Sequence, residues 1–399
     1  MRILFALPYS PGPTRVRSRM IIERLCARHE VTLLGLAWNA EDARVLDTWR
    51  TRASAVHIIP HGHIRQLGGL LGSPLRPFQE MVSTSPEFAL TLRRLLATAE
   101  EAGRPFDAVH IEHFRGAAAA GLGRDIEARV IYDAVDCLAA LAEQACTHGV
   151  QSSVRIMARA EIWRTRRAED RLIDAADVVS VVAERERAAM VRGRLCEHVV
   201  VIPNGVERAV SRPGRLPDLP RVVFTGKLSY HANQAALKWL FDEVWPRVLR
   251  LRPAAELTIA GADPPQWVRE ASRAAGIVLI ANPPDMAGVL RTARVAVAPV
   301  TYSVGIQNKV LEAMGAALPV VATSSAAAGL GLQAPPGIAV ADTAQAFAAE
   351  VARLLHDDRY AEALRREGFD YVMQHHDWDD VVRAFEQLYV PAAAAARVA

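Results

Sequence analysis

The stretch Gly305-Ile306-Gln307-Asn308-Lys309-Val310-Leu311-Glu312-Ala313-Met314-Gly315 lies between two apolar runs, Val295-Ala296-Val297-Ala298-Pro299-Val300 and Leu318-Pro319-Val320-Val321-Ala322-Thr323. Short apolar runs bounded by turn residues read as strands of a parallel sheet covered on both faces. The segment between them holds Lys309 and Glu312 at helical spacing, so the unit reads strand, glycine turn, helix, strand. Its loop opens at the carboxyl end of the sheet, where open α/β folds bind ligands. Gly305 lets the backbone approach an anion, and the helix start that follows offers unpaired N–H groups. Lys309 adds a full positive charge. Glu312, one turn deeper, can accept two hydrogen bonds from a cis-diol such as ribose. An anion site beside a diol acceptor points to a nucleoside diphosphate.

The same alternation runs outward through the chain. In the first half strands are expected near 2–7, 31–36, 55–60, 107–111, 129–133, 177–182 and 198–202, with helices near 14–28, 41–53, 87–102, 153–175 and 184–193. Pro203-Asn204-Gly205 marks a turn, and a polar, proline-marked linker runs from Glu207 to Pro220. The pattern then restarts with Arg221-Val222-Val223-Phe224-Thr225-Gly226 and a helix over 232–252. Strands near 256–260, 277–281, 294–299, 319–323 and 337–341 follow. The fold class is therefore α/β, with two Rossmann-like, doubly wound domains over 1–205 and 206–375. A closing helix and a patternless tail fill 376–399, the helix carried by Trp378, Val381, Phe385 and Leu388.

Size and composition agree with this division. A chain of 399 residues is long for one core, and two domains of about 200 residues each are expected. Forty-seven basic against 44 acidic residues leave a net charge of only +3, which argues against a dedicated nucleic-acid binder. Four cysteines without C-x-x-C spacing read as reduced thiols. No signal-peptide pattern precedes the first strand and no run of 18 apolar residues occurs, so a cytoplasmic protein is expected.

The loop and helix at 305–321 resemble the donor site of retaining glycosyltransferases of the GT-B fold, specifically glycosyltransferase family 4, in the subgroup associated with exopolysaccharide loci. Members commonly carry a Glu-x7-Glu pattern, the second Glu on the nucleotide ribose and the first on the donor sugar. Glu312 matches the second, and Val304 stands at the position of the first. The resemblance covers most of the chain, best from Ile202 to Leu330.

What the resemblance implies can be carried over by residue. The donor diphosphate would lie among Gly305, Ile306, Lys309 and Val310, with Glu312 on the ribose. Thr225-Gly226-Lys227-Leu228 matches the family's Gly-Arg-Leu turn, so Gly226 and Lys227 would face the diphosphate as well. The second cation usual after that turn is missing from Ser229-Tyr230-His231-Ala232-Asn233, and Lys309 would supply it. In the first domain Gly12 fits a turn that approaches the diphosphate. One of Arg15, Arg17 and Arg19, with Arg17 favoured, would face the ligand. Relatives carry a histidine beyond the strand at 107–111; Glu112 and His113 both lie near that position, and His113 is favoured. Asp136, after the next strand, would orient an acceptor hydroxyl or cap a helix. Acceptor choice would lie in first-domain loops such as 60–86. Asp285 reads independently as a helix cap.

His113, Asp136, Lys227 and Lys309 are thus the expected catalytic set. The reaction implied is transfer from a nucleotide-diphosphate sugar to an acceptor hydroxyl with retention, by front-face displacement without a protein nucleophile. No metal or other cofactor is expected, since no Asp-x-Asp metal motif stands out near the expected donor site. The arginines at 155, 159, 164, 166, 167 and 171 read as a solvated helix face or as a surface drawn to an anionic membrane leaflet. Two other functions stay open at this point: a nucleotide-sugar 2-epimerase of the same fold, and a catalytically silent nucleotide-sugar-binding subunit.

Overall fold

The computed structural model describes residues 1–12, 15–62, 75–123, 126, 128–148, 152–207, 214–301, 307–331 and 335–390. Contacts divide the chain into one unit of Met1–Pro203 with Asp379–Ala399 and a second of Asn204–Trp378.

The first unit is built on a parallel sheet in the order β3-β2-β1-β4-β5-β6-β7. Its strands are β1 (Arg2–Leu7), β2 (Glu30–Ala37), β3 (Ala55–Pro60), β4 (Ala108–Glu112), β5 (Val130–Val135), β6 (Val178–Val181) and β7 (Val199–Val201). Ile3 pairs with both Val31 and Ala108, so β1 sits between β2 and β4 and the winding direction reverses there. That reversal puts a crevice at the carboxyl ends of β1 and β4. Leu4, Val109, Ile111 and Tyr132 are buried in one cluster with Phe88 and Phe114, from helices on the sheet's faces.

The second unit repeats the plan in the order β10-β9-β8-β11-β12-β13. It comprises β8 (Arg221–Thr225), β9 (Glu256–Gly261), β10 (Ile277–Ala281), β11 (Val295–Ala298), β12 (Val320–Ala322) and β13 (Ile338–Val340). Here the reversal falls between β8 and β11, so the loops after Thr225 and Ala298 flank the crevice. The helix Asn308–Gly315 turns Val310, Leu311, Ala313 and Met314 into the core and leaves Lys309 and Glu312 partly accessible.

The last helix, Trp378–Tyr389, closes the first unit rather than the second. Phe385 and Tyr389 are fully buried, and the Tyr389 hydroxyl meets His110 Nδ1 at 2.8 Å. Arg24 pairs with Asp379, and His29 with Glu386, on the outer side.

Three local expectations are corrected. The segment read as one helix over 232–252 is two, His231–Trp239 and Trp245–Leu251, joined by a π-type turn at Leu240–Val244. Pro246 has no N–H to return to the preceding turn, and the helix widens ahead of it so that Trp245 N–H reaches back to Leu240 O. The helix read over 41–53 ends at Asp47 and tightens into a 3-10 turn at Thr48–Thr51. No helix is expected between β4 and β5, yet His113–Ala120 is one, entered directly from the strand.

Candidate functional site

In the second unit the site grows from a close approach of two strand ends. Gly226 follows β8 with φ of 143°, a conformation side chains avoid. A Cβ on Gly261, the last residue of β9, would lie 1.7 Å from Gly226 O. Both positions therefore exclude any larger residue. The turn they form is pinned by Gly226 N–H to Ala260 O at 3.1 Å and Leu228 N–H to Ala262 O at 2.7 Å.

Three side chains converge on this turn. Asn233, buried in the first turn of His231–Trp239, donates from Nδ2 to Lys227 O at 2.8 Å. Its Oδ1 accepts from Lys309 Nζ. Lys309 in turn lies 4.7 Å above the Phe224 ring, and its ammonium would come within 3.5 Å of a Cβ at Gly226. Burial pulls the Lys309 ammonium down to about 7, against the opposing charge of Glu312. Burial likewise pushes the Glu312 carboxyl up to about 7, against the charge of Lys309. The two do not meet in an ion pair, and Glu312 makes no hydrogen bond among the described residues. A largely buried acid without a partner is unfavourable on its own and suited to a donor that arrives with a ligand. Lys227, by contrast, is half exposed and 3.5 Å from Asp263.

Gly305 and Ile306 lie outside the described residues, as do Val304, the 63–74 part of the 60–86 loops, the linker residues 208–213 and the tail from 391. Val310 points into the core, so only its backbone is available to a ligand. Asp285 caps Met286–Arg291, accepting from Gly288 N–H at 2.8 Å.

In the first unit the expected ligand arginine is used internally. Arg17 is 6% exposed and grips both oxygens of Asp133, at 2.8 and 3.0 Å. It also donates to the carbonyls of Ile202 and Pro203, each at 3.1 Å. Ser180 completes Asp133 at 2.8 Å, and His110 Nε2 stands 3.8 Å away. Burial alone would raise Asp133, but Arg17 and His110 outweigh it and hold the carboxyl well below the usual carboxylate range. The reading of Arg17 as a ligand group is therefore replaced by a buried tie between the first helix and β5. Arg15, instead, stacks its guanidinium 3.8 Å over the Tyr9 ring.

Around that tie stand the other first-unit candidates. Gly12 accepts from Arg15 N–H at 3.0 Å, and a Cβ there would meet only Val45 at 3.7 Å, so no close approach demands glycine. Glu112, buried at the end of β4, accepts from Ser18 Oγ through one oxygen, and its Oε2 has no partner among the described residues. Burial pushes its carboxyl up to about 7 against that hydrogen bond. His113 takes φ of 61°, accepts at Nδ1 from Arg115 N–H at 3.2 Å, and lies edge-on to Tyr9. Burial, with Arg15 and Arg115, pulls it down to about 3, so its imidazole is neutral at physiological pH. Asp136 shares a buried setting with Glu186; burial raises both, and Asp136 raises Glu186 further.

Sequence reasoning missed Asn233 and Glu186. A signal for the second unit was present: of 47 basic residues only Lys227, Lys238 and Lys309 are lysines, and two of these three stand at this crevice. In a chain that otherwise uses arginine, that placement marks a site needing a compact ammonium.

Two family models match the chain: "Glycosyl transferase 4-like domain" over residues 12–205 and "Glycosyl transferases group 1" over 219–357. Solved structures align over nearly the whole length. Sucrose-phosphate synthase from Thermosynechococcus elongatus is 17% identical at a TM-score of 0.70, covering 97% of this chain and 98% of that one. Anabaena HepE, solved with UDP and glucose, is 15% identical at 0.65, with coverages of 97% and 98%. A TarM variant from S. aureus, solved with UDP among its ligands, is 8% identical at 0.67, with coverages of 98% and 100%. No curated protein matches.

Proposed function

The chain is a glycosyltransferase of the GT-B architecture, a glycosyl transferase 4-like domain followed by a group 1 domain, and we propose that it moves a sugar from a nucleotide-diphosphate donor to an acceptor hydroxyl with retention. The observation that carries the donor site is that Glu312, without a hydrogen-bond partner among the described residues, stands on one helix with Lys309, whose ammonium lies beside the Gly226 turn. Glu312 accepts the ribose hydroxyls. Lys309 and Lys227 lie against the diphosphate, which gathers negative charge as the bond to the anomeric carbon breaks.

In this reading the leaving diphosphate oxygen takes the bonding pair, and the acceptor oxygen forms the new bond on the same face. The acceptor proton passes to the departing phosphate oxygen. The first unit holds the acceptor, with His113 and Asp136 as the groups that orient its hydroxyl; neutral His113, its Nδ1 already taken by Arg115 N–H, presents Nε2–H and can donate to the acceptor oxygen without carrying a charge that attracts the donor phosphates. Two lysines supply the charge that a metal would otherwise bring, so turnover should survive chelator.

UDP-sugars are the first donors to try, because HepE and the TarM variant were solved with UDP. The test is thermal stabilisation by UDP, GDP, ADP, TDP and CDP, followed by release of free nucleotide when an acceptor is added. A shift with one nucleotide, lost in Glu312→Ala, supports the donor site; no shift up to millimolar concentration sinks it. Release only with acceptor marks a transferase, sugar conversion without release an epimerase, and binding without turnover a silent subunit.

We also propose a cytoplasmic location with peripheral membrane contact. On the helix Ser152–Ala175, Trp163 is 47% exposed and stands one turn from exposed Arg159 and Arg167. Such a stripe suits an anionic leaflet. Co-sedimentation with anionic but not neutral vesicles, weakened by Trp163→Ala, checks it; equal behaviour on both lipids refutes it.

A further inference from the structure

Lys309 stands among a neutral amide, an aromatic face and a glycine turn, and the nature of its one hydrogen-bond partner decides what its charge is for. A carboxylate at that place would hold the ammonium equally well by geometry but would cancel its field. An aliphatic residue would leave the long side chain free to sample many rotamers. Asparagine does neither: Oδ1 accepts from Nζ, and Nδ2 is committed to Lys227 O at 2.8 Å. The amide therefore cannot flip without losing both bonds, and its orientation is determined by the loop it touches.

We propose that Asn233 is a positioning residue that fastens the Lys309 ammonium to the Gly226–Lys227 turn without neutralising it, so that the cation's charge stays available to an anionic group of the ligand. The charged groups facing this point are Glu312 on the same helix and Lys227, itself paired with Asp263. Glu312 is not in contact with the ammonium, and Asp263 is engaged by Lys227. No carboxylate thus contacts Lys309 among the described residues, and Asn233 is the only one of them that touches it through a polar atom. The double clamp also couples the two loops, since whatever moves Lys227 O moves the amide that aims Lys309.

The inference rests on the donor-site reading above, and the experiment separates the two. With three lysines in the chain, protein labelled with 13C at lysine Cε gives three signals, and Lys309→Met assigns the one of interest. This signal is followed through a pH titration in the wild type, Asn233→Asp and Asn233→Ala, together with calorimetric binding of UDP and of uridine. The expected result is a titration displaced upward in Asn233→Asp, and UDP affinity at least tenfold weaker there than in the wild type. Asn233→Ala should weaken UDP severalfold, and uridine, which lacks the diphosphate, should bind all three proteins alike. Asn233→Asp that leaves both the titration and UDP affinity unchanged overturns the proposal. A displaced titration in a protein whose wild type binds no nucleoside diphosphate removes the proposed function and leaves the clamp standing. An unmoved titration removes the clamp whatever binds.

Discussion

Replacing Glu312 by glutamine should make the unliganded protein more stable and the ligand-binding protein worse. The carboxyl is pushed from its ordinary 4.5 up to about 7 by burial. At about 1.4 kcal/mol per pH unit, that displacement corresponds to a penalty of roughly 3 kcal/mol on the ionised form. Partial solvent access and the lost attraction to Lys309 reduce the gain on substitution to about 1–2 kcal/mol. The sign follows from linkage: the folded value lies above the unfolded one, so the advantage of the neutral acid is complete below pH 4.5 and is lost as pH rises through 7. Wild type and Glu312→Gln should therefore melt together near pH 4.5, diverge between pH 5 and 7, and stay apart above 8. For a unit of the size of Asn204–Trp378, each kcal/mol moves Tm by ~2–4 °C, so a rise of ~2–8 °C is expected at pH 8. Lys309 contributes with the mirrored sign, its burial penalty being full below pH 7 and fading toward 10.5. Below pH 7 that penalty is constant, so the divergence between pH 5 and 7 belongs to the carboxyl. Calorimetry at pH 5 and 8, with UDP titrations on the same samples, reads both halves of the prediction. Losing charge-assisted bonds to a diol should weaken UDP by about 10–100-fold. An equal Tm difference at the two pH values, or unchanged UDP affinity, would refute the argument.

Two further substitutions probe the frame around the site. Arg17→Met strands the Asp133 carboxylate in the core and should destabilise by about 3–5 kcal/mol in urea unfolding, whereas Arg17→Met with Asp133→Leu should recover much of that loss; no recovery would mean that Arg17 matters for the carbonyls of Ile202 and Pro203 instead. Gly261→Ala places a methyl 1.7 Å from Gly226 O and must displace the turn, so it should abolish UDP stabilisation and lower Tm by several degrees; a protein that binds UDP normally would show that the turn adapts freely.

The strands were legible because each is a short, apolar run closed by a turn residue, whereas the order of strands in each sheet is set by tertiary packing and came from the structure. Lys309 and Glu312 were legible for a related reason: polar residues on a helix that otherwise faces a core stand out at once. Arg15, Arg17 and Arg19 did not separate in the same way. Three arginines at alternate positions look alike locally, and what selects Arg17 for burial is Asp133, 116 residues away. Asn233 was silent because one polar residue at a helix start reads as ordinary surface, and its meaning depends on where Lys309 arrives from 76 residues later. The helix His113–Ala120 was hidden by its run of small residues, which gives no amphipathic period to detect.

The placement of the last helix has a consequence for how the chain comes into being. His110 acquires its hydroxyl partner only when Tyr389 is made, 279 residues later, which at ordinary elongation rates is an interval of roughly 15–60 s. Until then the sheet of β1–β7 exists with a raw apolar strip where Phe385 and Tyr389 belong, while Asn204–Trp378 is an unbroken stretch that can fold as soon as it emerges. Birth order and folding order are thus inverted: the unit synthesised first is finished last, and a chain halted just after Trp378 has a complete second unit tethered to an unfinished first one.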